Sequence, residues 1–195
     1  YELLSDTASM DSAAFMAALQ NFQDKVHVLT APAEMLPLEI VGPEDIAAIL
    51  EVARSNFDFV VIDMPKTVCA WTETVLDAAQ VYFATMELDM RSAQNVMRMI
   101  RALKSEDLPY EKLRFALNRS PKFTDLSGKQ RVKRMAEGLD IDIELMLPNG
   151  QKSVMDASDH GLPLAEFSPK NPLRKEFQKL AVSLLDLVRV EEDAV

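Results

Sequence analysis

The chain has 195 residues, a formal net charge of −10 and a pI near 4.7. That length suits one domain with a sizeable core, and the acidic balance works against a nucleic-acid partner, whose footprint needs a basic face. Cys69 is the sole cysteine, which excludes an internal disulfide or a thiolate metal cluster and suits a reducing cytoplasm. His27 and His160 lie far apart in sequence and no motif supports a two-histidine metal site or a Ser-His-Asp triad. No apolar run approaches the roughly 20 residues of a membrane span, and no signal peptide is visible.

Residues 12–22 carry apolar side chains at mixed helical spacing and predict a helix capped near Asp11. Residues 26–30 predict a short strand ended by Ala31-Pro32, and residues 36–41 an irregular link broken by Pro37 and Gly42-Pro43. Pro43 at a first turn, Glu44 and Asp45 at the positive end of the dipole, and Ile46, Ile49, Leu50 and Ala53 on one face predict a helix over 43–55. Phe59, Val60, Val61 and Ile62 form an unbroken β-favouring run, as a strand covered on both faces requires. Asp63 stands where that strand would end, and Pro65 takes the chain out of the sheet. In open parallel sheets ligands collect at the carboxyl ends of strands, so Asp63 is expected at the functional edge.

Residues 71–79 predict a helix, 81–85 a buried strand, and 92–104 an amphipathic helix with Val96, Met99, Ile100 and Leu103 in register. A strand over 113–117 is closed by Asn118-Arg119. A charged helix over 127–138, a strand over 141–147 ended by Pro148-Asn149-Gly150, a short helix over 153–158 and a long helix from Pro172 complete the chain. The last helix is expected to pack on the sheet through Leu173, Phe177, Leu180, Leu184, Leu187 and Val188. The basic island Lys122, Lys129, Arg131, Lys133 and Arg134 reads first as a solvated helix face, and otherwise as a docking surface for an acidic partner or phospholipid headgroups. Strands alternating with helices signal an α/β fold with a parallel sheet layered between helices.

The phrase from Phe57 to Pro65 resembles the second nucleotide motif of the MinD/ParA group of P-loop ATPases. It is joined in order by Val81 to Thr85 with Arg91-Ser92-Ala93, by Leu117-Asn118-Arg119, and by Leu147-Pro148 followed by Asp159 to Leu164. Within that group, Trp71-Thr72, Pro121 to Leu126 and Asn171 to Lys175 are similar to the CpaE/TadZ proteins of Flp (Tad) pilus assembly. The resemblance covers residues 26–185. It implies a nucleotide-binding P-loop NTPase fold using ATP or ADP with magnesium. Asp63 would orient the magnesium through a water, and Met64, Pro65 and Lys66 would form the loop that senses the γ-phosphate. Asn118, whose amide carries a donor and an acceptor, would read the adenine edge, Arg119 would stack or pair beside it, and Pro148 and Asn149 would border the base. The bland alternative for these residues is turn chemistry at strand ends.

Two departures stand out. No Gly-x-x-x-x-Gly-Lys occurs among the five glycines, so nothing in the chain neutralises the β and γ phosphates. Gly150 also stands where relatives often carry an acidic residue. Together with a start at Tyr1, the first departure leads to the expectation that residues 1–195 are a single partial domain of a longer protein. Its first strand, phosphate loop and any receiver-like domain would lie upstream, and this chain alone would be inactive. The resemblance further implies a parent that is a slow ATPase and homodimer positioning Flp pilus secretion machinery in the cytoplasm, reaching a cell pole or the inner-membrane surface through partners. Membrane contact would be at most peripheral, with no nucleic acid bound. The alternative is a non-hydrolysing scaffold with a degenerate nucleotide site.

Overall fold

The structure, a computed structural model, describes residues 7, 10–23, 25–31, 37 and 40–192, with side chains up to residue 186. The chain divides into two compact units, Tyr1–Gln80 and Val81–Val195.

In the first unit, α1 (Ser12–Ala18) starts where the Asp11 carboxylate accepts the backbone N–H of Ala14 at 2.8 Å. The helix stops earlier than its apolar pattern predicts. Gln20–Phe22 (β1) instead pairs antiparallel with Val26–Val28 (β2), and Gln23 adopts φ 55 in the turn. Partner pairing overrode a weak local preference for helix. Residues 36, 38 and 39 of the expected link lie outside the described residues. Helix α2 (Pro43–Asn56) begins as its first-turn chemistry predicts. The Asp45 carboxylate accepts the Gly42 N–H at 2.8 Å, and the Thr7 hydroxyl also donates to it. Leu50 on α2 packs with Trp71 and with Val75 on α3 (Thr72–Ala78), and Ile46, Met64, Cys69 and Ala78 gather around them.

The expected buried strand at residues 59–62 is not formed. No described strand pairs with it, and Phe59, Val60, Val61 and Ile62 are 45%, 38%, 94% and 38% exposed. β propensity measures fit to a pleated, partnered surface, so the same residues without a neighbouring ladder remain irregular chain. Asp63 therefore stands on an exposed loop and not at the end of a strand.

The second unit holds a parallel sheet in the order β3 (Tyr82–Met86), β4 (Leu113–Ser120), β5 (Ile143–Pro148), flanked by helices. β4 is central, and its near-continuous burial at Leu113, Phe115, Ala116 and Leu117 follows from cover on both faces. Helix α4 (Met90–Ser105) is capped by Asp89, buries Val96 and Leu103, and packs on β3. Helix α5 (Leu126–Leu139) is capped by Asp125 and ends at Asp140 in the left-handed region, φ 54. The short helices α6 (Lys152–Asp159) and α7 (Leu164–Phe167) lead to α8 (Pro172–Glu192), which packs on β5. Of its expected packing face, Phe177 is 48% exposed, and the side chains of Leu187 and Val188 lie outside the described ones. Among the described residues no helix is long and apolar enough to cross a membrane.

Two cap carboxylates set an acid limit. Hydrogen bonds from Thr7 and then Gly42 hold Asp45 below the usual carboxylate range, and those from Gly128 and then Ser127 do the same for Asp125. A folded-state pKa below the unfolded value contributes stability that is complete above about pH 4 and lost as the pH falls through the folded pKa. Asp125→Asn keeps a capping oxygen but removes the titration. Its melting temperature should therefore depend less on pH than the wild type's below about pH 4. Parallel melting curves in that range would remove Asp125 from the acid response.

Candidate functional site

The carboxyl ends of β4 and β5 carry the unusual backbone of the sheet unit. Leu117 pairs with Met146 and Ser120 with Pro148, so Asn118 and Arg119 together oppose Leu147. The extra residue is a bulge, a device that re-aims side chains at sheet edges. Arg119 takes φ 51 within it, and Asn118 Oδ1 accepts the Arg119 N–H at 3.0 Å. The predicted strand over 113–117 thus extends through the bulge to Ser120. At the neighbouring exit, Gln151 takes φ 54 and ψ −145, a region for which glycine is ordinarily required, and donates its N–H to Asn149 Oδ1 at 2.8 Å. The other non-glycine positive φ values fall in the β1–β2 turn, after α4 and at the end of α5, where they are ordinary chain reversals.

Both asparagines are consequently fixed in the same sense. A backbone N–H can only be answered by the carbonyl oxygen of the amide, so each side chain is oriented through its oxygen, and neither NH2 group has a partner among the described residues. Asn118 is half-buried and Asn149 exposed. Arg119 Nη1 lies 3.4 Å from Glu87 Oε1 at the exit of β3. Beside them a depression of about 300 Å³ is lined by Glu87, Leu88, Asp89, Asn118, Arg119 and Arg131, among others. Of the sequence-predicted residues, Asn118, Arg119, Pro148 and Asn149 lie toward the carboxyl ends of two adjacent parallel strands, and of these only Asn118 and Arg119 line the depression.

Asp63, Met64, Pro65 and Lys66 belong to the other unit. Asp63 and Lys66 are exposed, whereas Met64 is packed against the Leu50–Trp71–Val75 cluster and serves that core. Cys69 is packed there too, its N–H donating to Thr72 Oγ1 at 2.8 Å. A hydrated magnesium needs few protein oxygens, and an exposed carboxylate such as Asp63 suits it. Among the described residues no group of three or more His, Cys, Asp or Glu side chains could hold a metal. The strand ends thus carry two amides held through their oxygens, and the chain has no Gly-x-x-x-x-Gly-Lys loop for phosphates.

The basic island is largely engaged locally. Lys129 Nζ stands 4.3 Å from the Phe123 ring centroid, Arg131 donates to the Leu88 carbonyl at 3.1 Å, and Lys133 pairs with Glu137 at 3.7 Å. These exposed contacts match a solvated helix face. Sequence reasoning placed Asn171 in a segment resembling the pilus proteins and gave it no role of its own. Its signal was present, since Asn before Pro-Leu-Arg-Lys is a helix-start pattern. The three segments that resemble pilus proteins include core and cap positions: Trp71 in the first unit's core, Asp125 capping α5, and Asn171 ahead of α8.

No protein-family model matches the chain. The septum site-determining protein MinD of Bacillus subtilis is 24% identical over 167 residues, 85% of this chain and 61% of that protein. MinD of Synechocystis sp. is 24% identical over 138 residues, 70% of this chain and 51% of that protein. The chain thus spans 61% and 51% of the length of these curated relatives. A ParA family ATPase from Chlorobium tepidum TLS superposes with a TM-score of 0.82 at 15% identity, over 93% of this chain and 74% of that one. MinD from Pyrococcus horikoshii OT3, solved as a complex with Mg-ADP, gives 0.68 at 15% identity, over 96% and 79%. The chain is similar in sequence to MinD at 24% identity, and its α/β fold is that of the MinD and ParA ATPases.

Proposed function

From a chain related to MinD in sequence and folded like MinD and ParA ATPases, we propose that the β4–β5 edge binds the base of an adenine nucleotide. The observation that carries this reading is the matched orientation of Asn118 and Asn149, each held through its oxygen, with an NH2 that has no partner among the described residues. Those donors would meet acceptor nitrogens of the base, Pro148 would border the ring, and Arg119, steadied by Glu87, would lie beside it. ATP or ADP with magnesium would supply a switch whose bound state carries the signal, with hydrolysis slow. Asp63 would orient the hydrated ion, and Met64, Pro65 and Lys66 would lie near the phosphates. The residues that cradle those phosphates would come from sequence upstream of Tyr1, so the chain alone should neither hold ATP tightly nor hydrolyse it.

The further extension is a homodimeric positioning ATPase for Flp (Tad) pilus secretion machinery. It is supported by the similarity of Trp71-Thr72, Pro121 to Leu126 and Asn171 to Lys175 to CpaE/TadZ proteins. A non-hydrolysing scaffold is the second reading, favoured by the absence of Gly-x-x-x-x-Gly-Lys from the chain. A glycine-rich lysine loop encoded upstream of Tyr1 would support the ATPase, and a ruined loop the scaffold.

The base reading is tested without phosphates. Adenosine titrated to millimolar concentration should shift the side-chain NH2 resonances of Asn118 and Asn149 in a nitrogen-15 spectrum. Asn118→Ala should weaken the titration by up to about tenfold, the worth of one hydrogen bond. Resonances that stay put at saturating adenosine would end the base assignment.

A further inference from the structure

Asn171 is only 8% exposed and uses both ends of its amide. Nδ2 donates to the Gly150 carbonyl at 3.0 Å, across 21 residues of sequence, while Oδ1 accepts the Leu173 N–H at 2.9 Å in the first turn of α8. Gly150 is buried beneath α8. A Cβ there would lie 2.3 Å from Val154 Cγ2, 3.1 Å from Leu173 Cδ2 and 3.5 Å from Asn171 Oδ1. The residue on one side of Gly150 is Asn149, whose oxygen is fixed by Gln151, and on the other is Gln151 in a backbone region that only a well-determined surrounding sustains.

We propose that Asn171 is a positioning residue for the base site, clamping the Gly150 carbonyl so that the start of α8 sets the direction of the Asn149 amide. The functional half of this claim rests on the base reading above. A helix cap alone would require only the Oδ1 contact, which Asp or Ser can also make. The donor to Gly150 is what asparagine adds, because a carboxylate has no proton to give and a hydroxyl is shorter. Asp in its place would also set a negative oxygen against the Gly150 carbonyl.

Asn171→Asp separates the two roles, and Asn171→Ser is the milder companion should the carboxylate prevent folding. Amide hydrogen exchange on the full chain is read at Gln151, whose N–H closes the turn, and at Leu173, whose N–H reports the cap. The expected result is exchange at Gln151 faster by about tenfold with Leu173 protected as in the wild type. Adenosine should then shift the Asn149 NH2 resonance with severalfold weaker affinity, while Asn118, held by its own bulge, keeps its wild-type chemical shift in the free protein. Wild-type exchange at Gln151 in both variants would overturn the clamp. If the wild type shows no adenosine response, the base reading falls while the exchange comparison still decides whether Asn171 holds the turn.

Discussion

Leu117→Ala should cost about 2–5 kcal/mol, a large loss for a domain of ordinary marginal stability. Leu117 is 0% exposed at the middle of the central strand, paired with Met86 on one side and Met146 on the other. Truncation there removes the transfer free energy of the lost methyl groups and leaves a cavity that strands held on both sides cannot collapse to fill. The check is a urea midpoint by circular dichroism, converted with the measured slope. A loss below about 0.5 kcal/mol would show a site loose enough to relax. The edge proposed to bind the base should feel the change as well, because Leu117 directly precedes the bulge at Asn118 and Arg119. The Asn118 side-chain resonance should broaden or shift in the variant even without ligand.

Gly150→Ala and Gly138→Ala should differ in sign. At Gly150 an added Cβ meets Val154 Cγ2 at 2.3 Å, whereas at Gly138, inside α5, it meets nothing within 4 Å. The first change should destabilise by about 1–3 kcal/mol through overpacking. The second should stabilise by about 0.4–1 kcal/mol, since alanine suits a helix and lowers the entropy of the unfolded chain. Val154 is partly exposed and can turn aside, so Gly150→Ala combined with Val154→Ala should recover much of the loss in a double-mutant cycle. Additive losses would place the obstruction elsewhere. The same crowding accounts for the departure from the acidic residue that the family resemblance leads one to expect. An aspartate at 150 would drive its Cβ into Val154 and bury a charge under α8.

The parts of the site that were legible were those with local chemistry. Pro148-Asn149-Gly150 ends β5 as its composition indicates, whereas Asn118-Arg119, expected to close β4, lies inside a strand that continues through the bulge to Ser120. The bulge that fixes Asn118 was not legible, because it depends on the register between β4 and β5. Asn171 was hidden for a similar reason. Its partner is distant in sequence, and an asparagine before a helix already has a sufficient local role as a cap.

Helix starts, helix faces and the buried sequence of β4 were determined by the sequence itself, since capping oxygens, first-turn acids and apolar periodicity act within a few residues. Tertiary structure alone decided the fate of residues 59–62, the hairpin of β1 with β2, and the bulge that carries Asn118 and Arg119. A strand satisfies its backbone only through another strand.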